Sequence, residues 1–152
     1  MVILTIHLIS NSPNSPNSPN KMQNIQIHKY DLEERTAKFG EDIIDFARKL
    51  PKNDITQRII PQLVGAGTAV GSNYCEADCA ESNKDFIHKM AIANKETKES
   101  KHFLRMSAKA SPEHAAEARQ LWKEAHELNL IFTTIIKKAK ITEEKKQKIG
   151  NS

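Results

Sequence analysis

From Leu121 to Ala139 the apolar residues Leu121, Trp122, Ala125, Leu128, Phe132, Ile135 and Ala139 return mostly by threes and fours. A strand would alternate every two residues, whereas a period near 3.6 lays these side chains along one face of a helix. The same rhythm appears three times upstream. Leu32, Phe39, Ile43, Phe46 and Leu50 step by seven, four, three and four. Ile59, Ile60, Leu63, Val64, Ala66 and Val70 mark a second helix, and Phe86, Ile87, Met90, Thr97, Leu104 and Ala108 a third. An amphipathic helix gains most of its stability by burying its apolar face, so the four must pack together. Short connections and no strand pattern predict an all-α fold, an up-and-down antiparallel four-helix bundle over residues 22–141.

Punctuation residues set the expected boundaries. Asp31 can cap the first helix, with Glu33 and Glu34 at its positive end, and Pro51 stops it. The second helix is expected from about Asp54 or Ile55 towards Cys79, with Pro61 in its first two turns, where a missing donor costs least. Ser82 and Asp85 form a capping-box-like start for the third, and Ser111-Pro112 a cap followed by proline at the first position of the fourth. Residues 142–152 are polar and predict a flexible tail. At the other end, NSPNSPNSPN cannot bury apolar surface, so residues 1–21 are expected to be a disordered leader from an upstream start codon, without a structural role.

Composition narrows the setting. No stretch approaches the roughly 20 consecutive apolar residues of a membrane span, and MVILTIHLIS has no positive charge before it, unlike a signal peptide. Two cysteines make no disulfide framework, which points to a reducing cytoplasm. The net charge of +4 permits an anionic partner without requiring one.

Several patterns could carry chemistry. Gly65, Gly67 and Gly71 fall inside the second helix, where each costs about 1 kcal/mol relative to alanine. With no preceding strand and no Gly-Lys-Ser/Thr, close approach of a neighbouring helix explains them better than a phosphate loop. Cys75 and Cys79 lie one turn apart, but a structural zinc site needs a second pair. They are expected to be small, buried or half-buried residues. Glu99 and His102 share the Glu-x-x-His spacing of di-iron bundles, without a second such motif on a facing helix. Among cations, Arg119, Lys123, Lys137, Lys138 and Lys140 are the candidates for contact with RNA or DNA, although no recognised nucleic-acid motif accompanies them.

The run from Gly65 to Leu104 resembles the four-helix-bundle proteins encoded in intervening sequences of bacterial 23S ribosomal RNA genes. Gly67, Thr68, Val70, Gly71, Asn73, Tyr74, Glu76 and Ala77 match one block of the family pattern. Ser82, Asp85, Phe86 and Ile87 match its joint, and Lys95, Glu96, Glu99, Ser100, Phe103 and Leu104 the remainder. The resemblance implies a non-enzymatic, homopentameric bundle related to the accessory protein of diversity-generating retroelements, a basic pentamer that binds a reverse transcriptase and nucleic acid. Cys75 departs from the arginine common after Asn-Tyr, and Asp78 and Glu81 add acid to the joint, which weakens any inference of phosphate contact there. Asn73, Glu96 and Glu99 fall on recurring family positions and are candidates for inter-helix or inter-subunit hydrogen bonds that fix register. The resulting expectation is a cytoplasmic, non-catalytic, self-associating binding or scaffolding bundle without a cofactor. The alternatives are a sequence-independent nucleic-acid binder and a metal enzyme using Cys75, Cys79, Glu99 and His102.

Overall fold

Acidic Glu33 and Glu34 begin the first helix, α1 (Leu32–Lys49), and basic Arg48 and Lys49 end it, each complementing the helix dipole. The structure, a computed structural model, describes residues 32–150. The expected leader and the Asp31 cap lie outside the described residues. Leu50 donates its N–H to Ala47 O at 3.3 Å, and Pro51 bars further helix.

The second helix starts slightly later than expected, and a different residue organises it. Asn53 Oδ1 accepts from the N–H groups of Ile55 and Thr56, both at 3.0 Å. Thr56 Oγ1 answers by accepting from Asn53 N–H at 3.0 Å, and its own hydroxyl donates to Pro51 O. This reciprocal turn satisfies the donors that begin α2 (Thr56–Asp78), which carries Pro61 on its exposed side. Cys79 N–H to Cys75 O closes α2 at 3.2 Å.

Ser82 caps the third helix as expected, accepting from Asp85 N–H at 3.1 Å. That helix, α3 (Asn83–Ala110), ends at Ser111. The expected cap at Ser111 is not made. Its hydroxyl is buried without a hydrogen-bond partner among the described residues, and Pro112–His114 form a 3-10 turn before α4 (Ala115–Gly150). The proline ring therefore opens a tight turn rather than the α-helix itself.

Among the described residues these four helices form a bundle with no strand. Its core is built from one stripe of each: Phe39, Ile43 and Phe46; Leu63 and Val70; Met90 and Leu104; Leu128 and Phe132, all fully buried. Burying such side chains contributes about 1.5–3 kcal/mol each. Tyr74 of α2 stacks on Phe132 of α4 with ring centres 6.1 Å apart. Along α3 and α4 the bonded pairs run in opposite order, from Asn83 with Ala139 and Glu143, through Asn94 with Thr133, to Lys101 with His126.

The fourth helix exceeds its sequence-based boundary. It continues through Gly150, beyond residue 141, with five Lys or Glu residues and no proline or earlier glycine to stop it. Asn83, the first residue of α3, holds Glu143 Oε2 at 2.8 Å. Residues 144–149 pass beyond that point and are exposed.

The glycines explain how closely α1 and α2 meet. A Cβ on Gly67 would lie 2.8 Å from both Cγ atoms of Ile43, and one on Gly71 would lie 3.4 Å from the Thr36 backbone. Gly40, which sequence reasoning passed over, reciprocates from α1, its missing Cβ 3.5 Å from Thr68 Cα. Gly65 differs: nothing stands within 4 Å of its Cβ position, so close approach does not account for it. Gly67→Ala is expected to destabilise the fold by about 1–3 kcal/mol, because branched Ile43 has no room to retreat in the core. Gly65→Ala should stabilise by up to about 1 kcal/mol, and chemical denaturation of the two variants separates these opposite signs.

Candidate functional site

The cysteines turn outward. Cys75 and Cys79 are both exposed, not buried or half-buried as the sequence suggested. Helix phase is the reason: Val70, Tyr74 and Ala77 take the inward positions of this part of α2, and Cys75 and Cys79, four residues apart, share a line on its outward side. Desolvation first, then the nearby Glu33 and the second thiol, holds Cys75 above the ordinary thiol range, which reduces its nucleophilic form at neutral pH. Among the described residues no three His, Cys, Asp or Glu side chains gather where they could hold a metal ion. Glu99 is half-buried, and exposed His102 sets its ring edge-on to Phe103 at 5.1 Å.

Within the single chain, the side-chain hydrogen bonds between α3 and α4 fall on residues other than Asn73, Glu96 and Glu99. Asn73 Nδ2 donates to Ala69 O of its own helix at 2.9 Å. The cross-helix role falls to Asn94, buried in the stripe of α3. Asn94 Nδ2 donates to Thr133 Oγ1 of α4 at 3.2 Å, and Asn94 Oδ1 accepts from Asn129 Nδ2 at 2.5 Å. Thr97 Oγ1 donates to the Asn94 main-chain O at 2.7 Å, so that buried hydroxyl is satisfied within its own helix. The signal was available: Asn94 is four residues after Met90, at a core position where an apolar residue is expected. Asn94→Ala should cost about 1–3 kcal/mol by orphaning Asn129, measured by chemical denaturation.

Glu96 and Glu99 lie on another face of α3. Ile92, Glu96, Glu99, Phe103, Met106 and Ala110 follow spacings of four, three, four, three and four, a second stripe of helical period. Desolvation first, and then the Glu99 charge, raises the Glu96 carboxyl above its ordinary range. The folded chain therefore resists ionising this group. That penalty is present above the folded pKa and vanishes below the ordinary carboxylate range, where folded and unfolded forms are both neutral. Glu96→Gln is expected to raise Tm slightly at neutral pH, with the gain lost near pH 3–4 in a thermal series.

The five candidate cations, Arg119, Lys123, Lys137, Lys138 and Lys140, are all exposed on α4. They do not form one patch, because Arg119 and Lys137 stand about 27 Å apart along the axis. The structure gives Arg119 a different neighbourhood. Leu104, Arg105 and Ala108 of α3 and Ala118, Arg119 and Trp122 of α4 line a groove of about 260 Å³. At its upper end the rings of Trp122 and His126 stack, 5.2 Å between centres and 13° from parallel. Lys101 Nζ sits 3.1 Å from His126 Nδ1 and 4.8 Å from the Trp122 ring centre. Trp122, Lys101 and Arg105 were not singled out together because the two helices that unite them are joined only by the fold.

Fold and surface together define a four-helix bundle whose third and fourth helices are joined by buried polar contacts. The family model of the 23S rRNA-intervening sequence protein matches residues 28–134, and the chain belongs to that family. A crystal structure of a protein of unknown function from the S23 ribosomal protein family of Bacteroides thetaiotaomicron has the same fold. It shares 24% identity at a TM-score of 0.61, over 70% of this chain and 98% of that one. No curated protein matches the chain.

Proposed function

We propose that the protein is a non-catalytic, self-associating bundle that acts as a cytoplasmic binding or scaffolding module. The observation that carries this reading is the second stripe of α3. A bundle helix needs one apolar face, and α3 has its core stripe through Met90, Ala93, Asn94, Thr97, Ser100 and Leu104. Ile92, Phe103 and Met106 form another that a single chain leaves half-buried or exposed, with Met106 36% exposed. On α4, Leu130 is 54% exposed in mid-helix, beside half-buried Ile131. Large apolar side chains left exposed in mid-helix are the kind of surface that a contact covers. Glu96 and Glu99 interrupt the α3 stripe and supply polar groups that fix how copies align, at some cost in stability. The family resemblance implies five subunits, and a ring of identical, head-to-tail contacts closes without leaving an unpaired surface.

Sedimentation equilibrium tests the reading. The expected mass is near five times the 17.2 kDa chain. Met106→Asp, at an exposed position, should lower that mass while circular dichroism keeps its helical signature, because a charge in a desolvated contact costs several kcal/mol. A wild-type monomer at micromolar concentration, or an unchanged assembly in Met106→Asp and Phe103→Asp alike, would overturn it.

A further inference from the structure

We propose that the groove between α3 and α4 binds an acidic peptide segment of a partner protein, seating one large apolar side chain beside Trp122 and pairing carboxylates with Arg105 and Arg119. Three observations converge on that ligand. The first is size. A volume of about 260 Å³ falls below the roughly 300–1,000 Å³ of sites that enclose a small molecule, and it suits one anchored side chain. Leu104, Ala108 and Ala118 make its lining aliphatic, with Trp122 at one side.

The second is charge. Arg105 and Arg119 flank the apolar lining, are exposed, and make no ion pair among the described residues. Arg35, Lys38, Arg48, Lys49 and Lys89, by contrast, pair with acids, and they belong to α1 and to the start of α3. Acids close in sequence to the groove are directed elsewhere. Glu117 pairs with Lys49, and Glu124 with Arg35. Glu96 and Glu99 lie five and two residues from Lys101, offsets that put them roughly 140–160° around α3. Glu113, exposed in the 3-10 turn, is the remaining acid near that end. Lys98, Lys101, Arg105 and Lys109 meanwhile step by three, four and four, so the α3 wall is basic along its length. Two guanidinium forks without internal partners are suited to carboxylates, which they can grip bidentately.

The third is the state of the indole. Lys101 and the stacked His126 already engage Trp122 from the side of the following turn. What remains toward Ala118 and Leu104 is apolar surface for an aliphatic or phenyl group rather than an open platform for stacked bases, which favours a peptide over a nucleic-acid strand. Trp and Arg are also the residues that most often dominate binding energy at protein interfaces. This site is independent of self-association, because the Ile92–Met106 stripe lies on the other side of α3 and both can be occupied at once.

The full chain is panned against a displayed library of random peptides of about 12 residues, long enough to cover the groove as helix or strand. Binding of the enriched peptides is read through Trp122, the single tryptophan in the chain. Expected are peptides with several Asp or Glu around one Leu or Phe, each shifting Trp122 emission saturably. Arg105→Gln with Arg119→Gln should weaken them about tenfold or more with helicity unchanged, while Lys137→Gln with Lys138→Gln stays within about twofold. Failure to enrich any peptide, enrichment without acids, or equal losses in both double variants would overturn the proposal. So would a single-stranded thymidine oligonucleotide that binds more tightly and displaces the peptide with the same arginine dependence, which would give the groove to nucleic acid.

Discussion

The meeting of α1 and α2 over missing side chains is the constraint on which the remaining architecture rests. Ile43 occupies the space a Cβ on Gly67 would need, and Gly40 and Gly71 let the two backbones draw close on either side. Glycine weakens a helix, so three such positions persist only where packing returns more than propensity loses. With α1 drawn against α2, Phe39 and Phe46 reach the centre beside Leu63 and Val70. On its other flank α1 reaches α4 through charge: the Arg35 guanidinium grips Glu124 at 2.6 and 2.9 Å and Glu127 at 2.7 Å, and Lys49 holds Glu117. These are partly exposed pairs and contribute modestly, so they orient a helix that apolar packing already holds.

Those same pairs sort the molecule's charge. By engaging the acids of α4 on the α1 side, Arg35 and Lys49 leave the α3 side of α4 to Arg119, Lys123 and His126. The third helix then presents three different faces. One is buried and unusually polar for a core, carrying Asn94, Thr97, Ser100 and Ser107; one is basic; one is a second apolar stripe interrupted by two glutamates. The buried hydroxyls of Thr97, Ser100 and Ser107 bond to their own helix backbone, at 2.7, 2.8 and 2.8 Å, which lets small polar residues pack closely without an orphaned group.

Much of the bundle could be read from periodicity because each helix repeats its stripe several times, so a single misread residue changes little. Phe39, Ile43 and Phe46, or Leu128, Phe132 and Ile135, announce both helix type and buried face. Features that depend on one contact were harder. Asn53 gave no signal of its own, since its bonds to Ile55 and Thr56 depend on local backbone geometry. Ser111 looked like a cap by type, yet the 3-10 turn at Pro112 moves the first amides out of its reach. The glycines were correctly tied to close approach at positions 67 and 71, but sequence has no means of telling that Gly65 points to open space. The site suffered most. Lys101, Arg105, Trp122 and His126 lie on two helices, and no spacing rule joins residues that only tertiary packing makes neighbours. For Asn73, the family pattern offered a position but not a partner.

The overrun of α4 also has a mechanical side. Asn83 marks where α3 stops flanking it, and the turns that follow stand clear as one continuous rod about 10 Å long. A probe attached within those turns would ride at a set bearing from the body of the molecule instead of swinging on a slack tether. Residues 144–149 are thus a natural mount for an orientation-sensitive spectroscopic label.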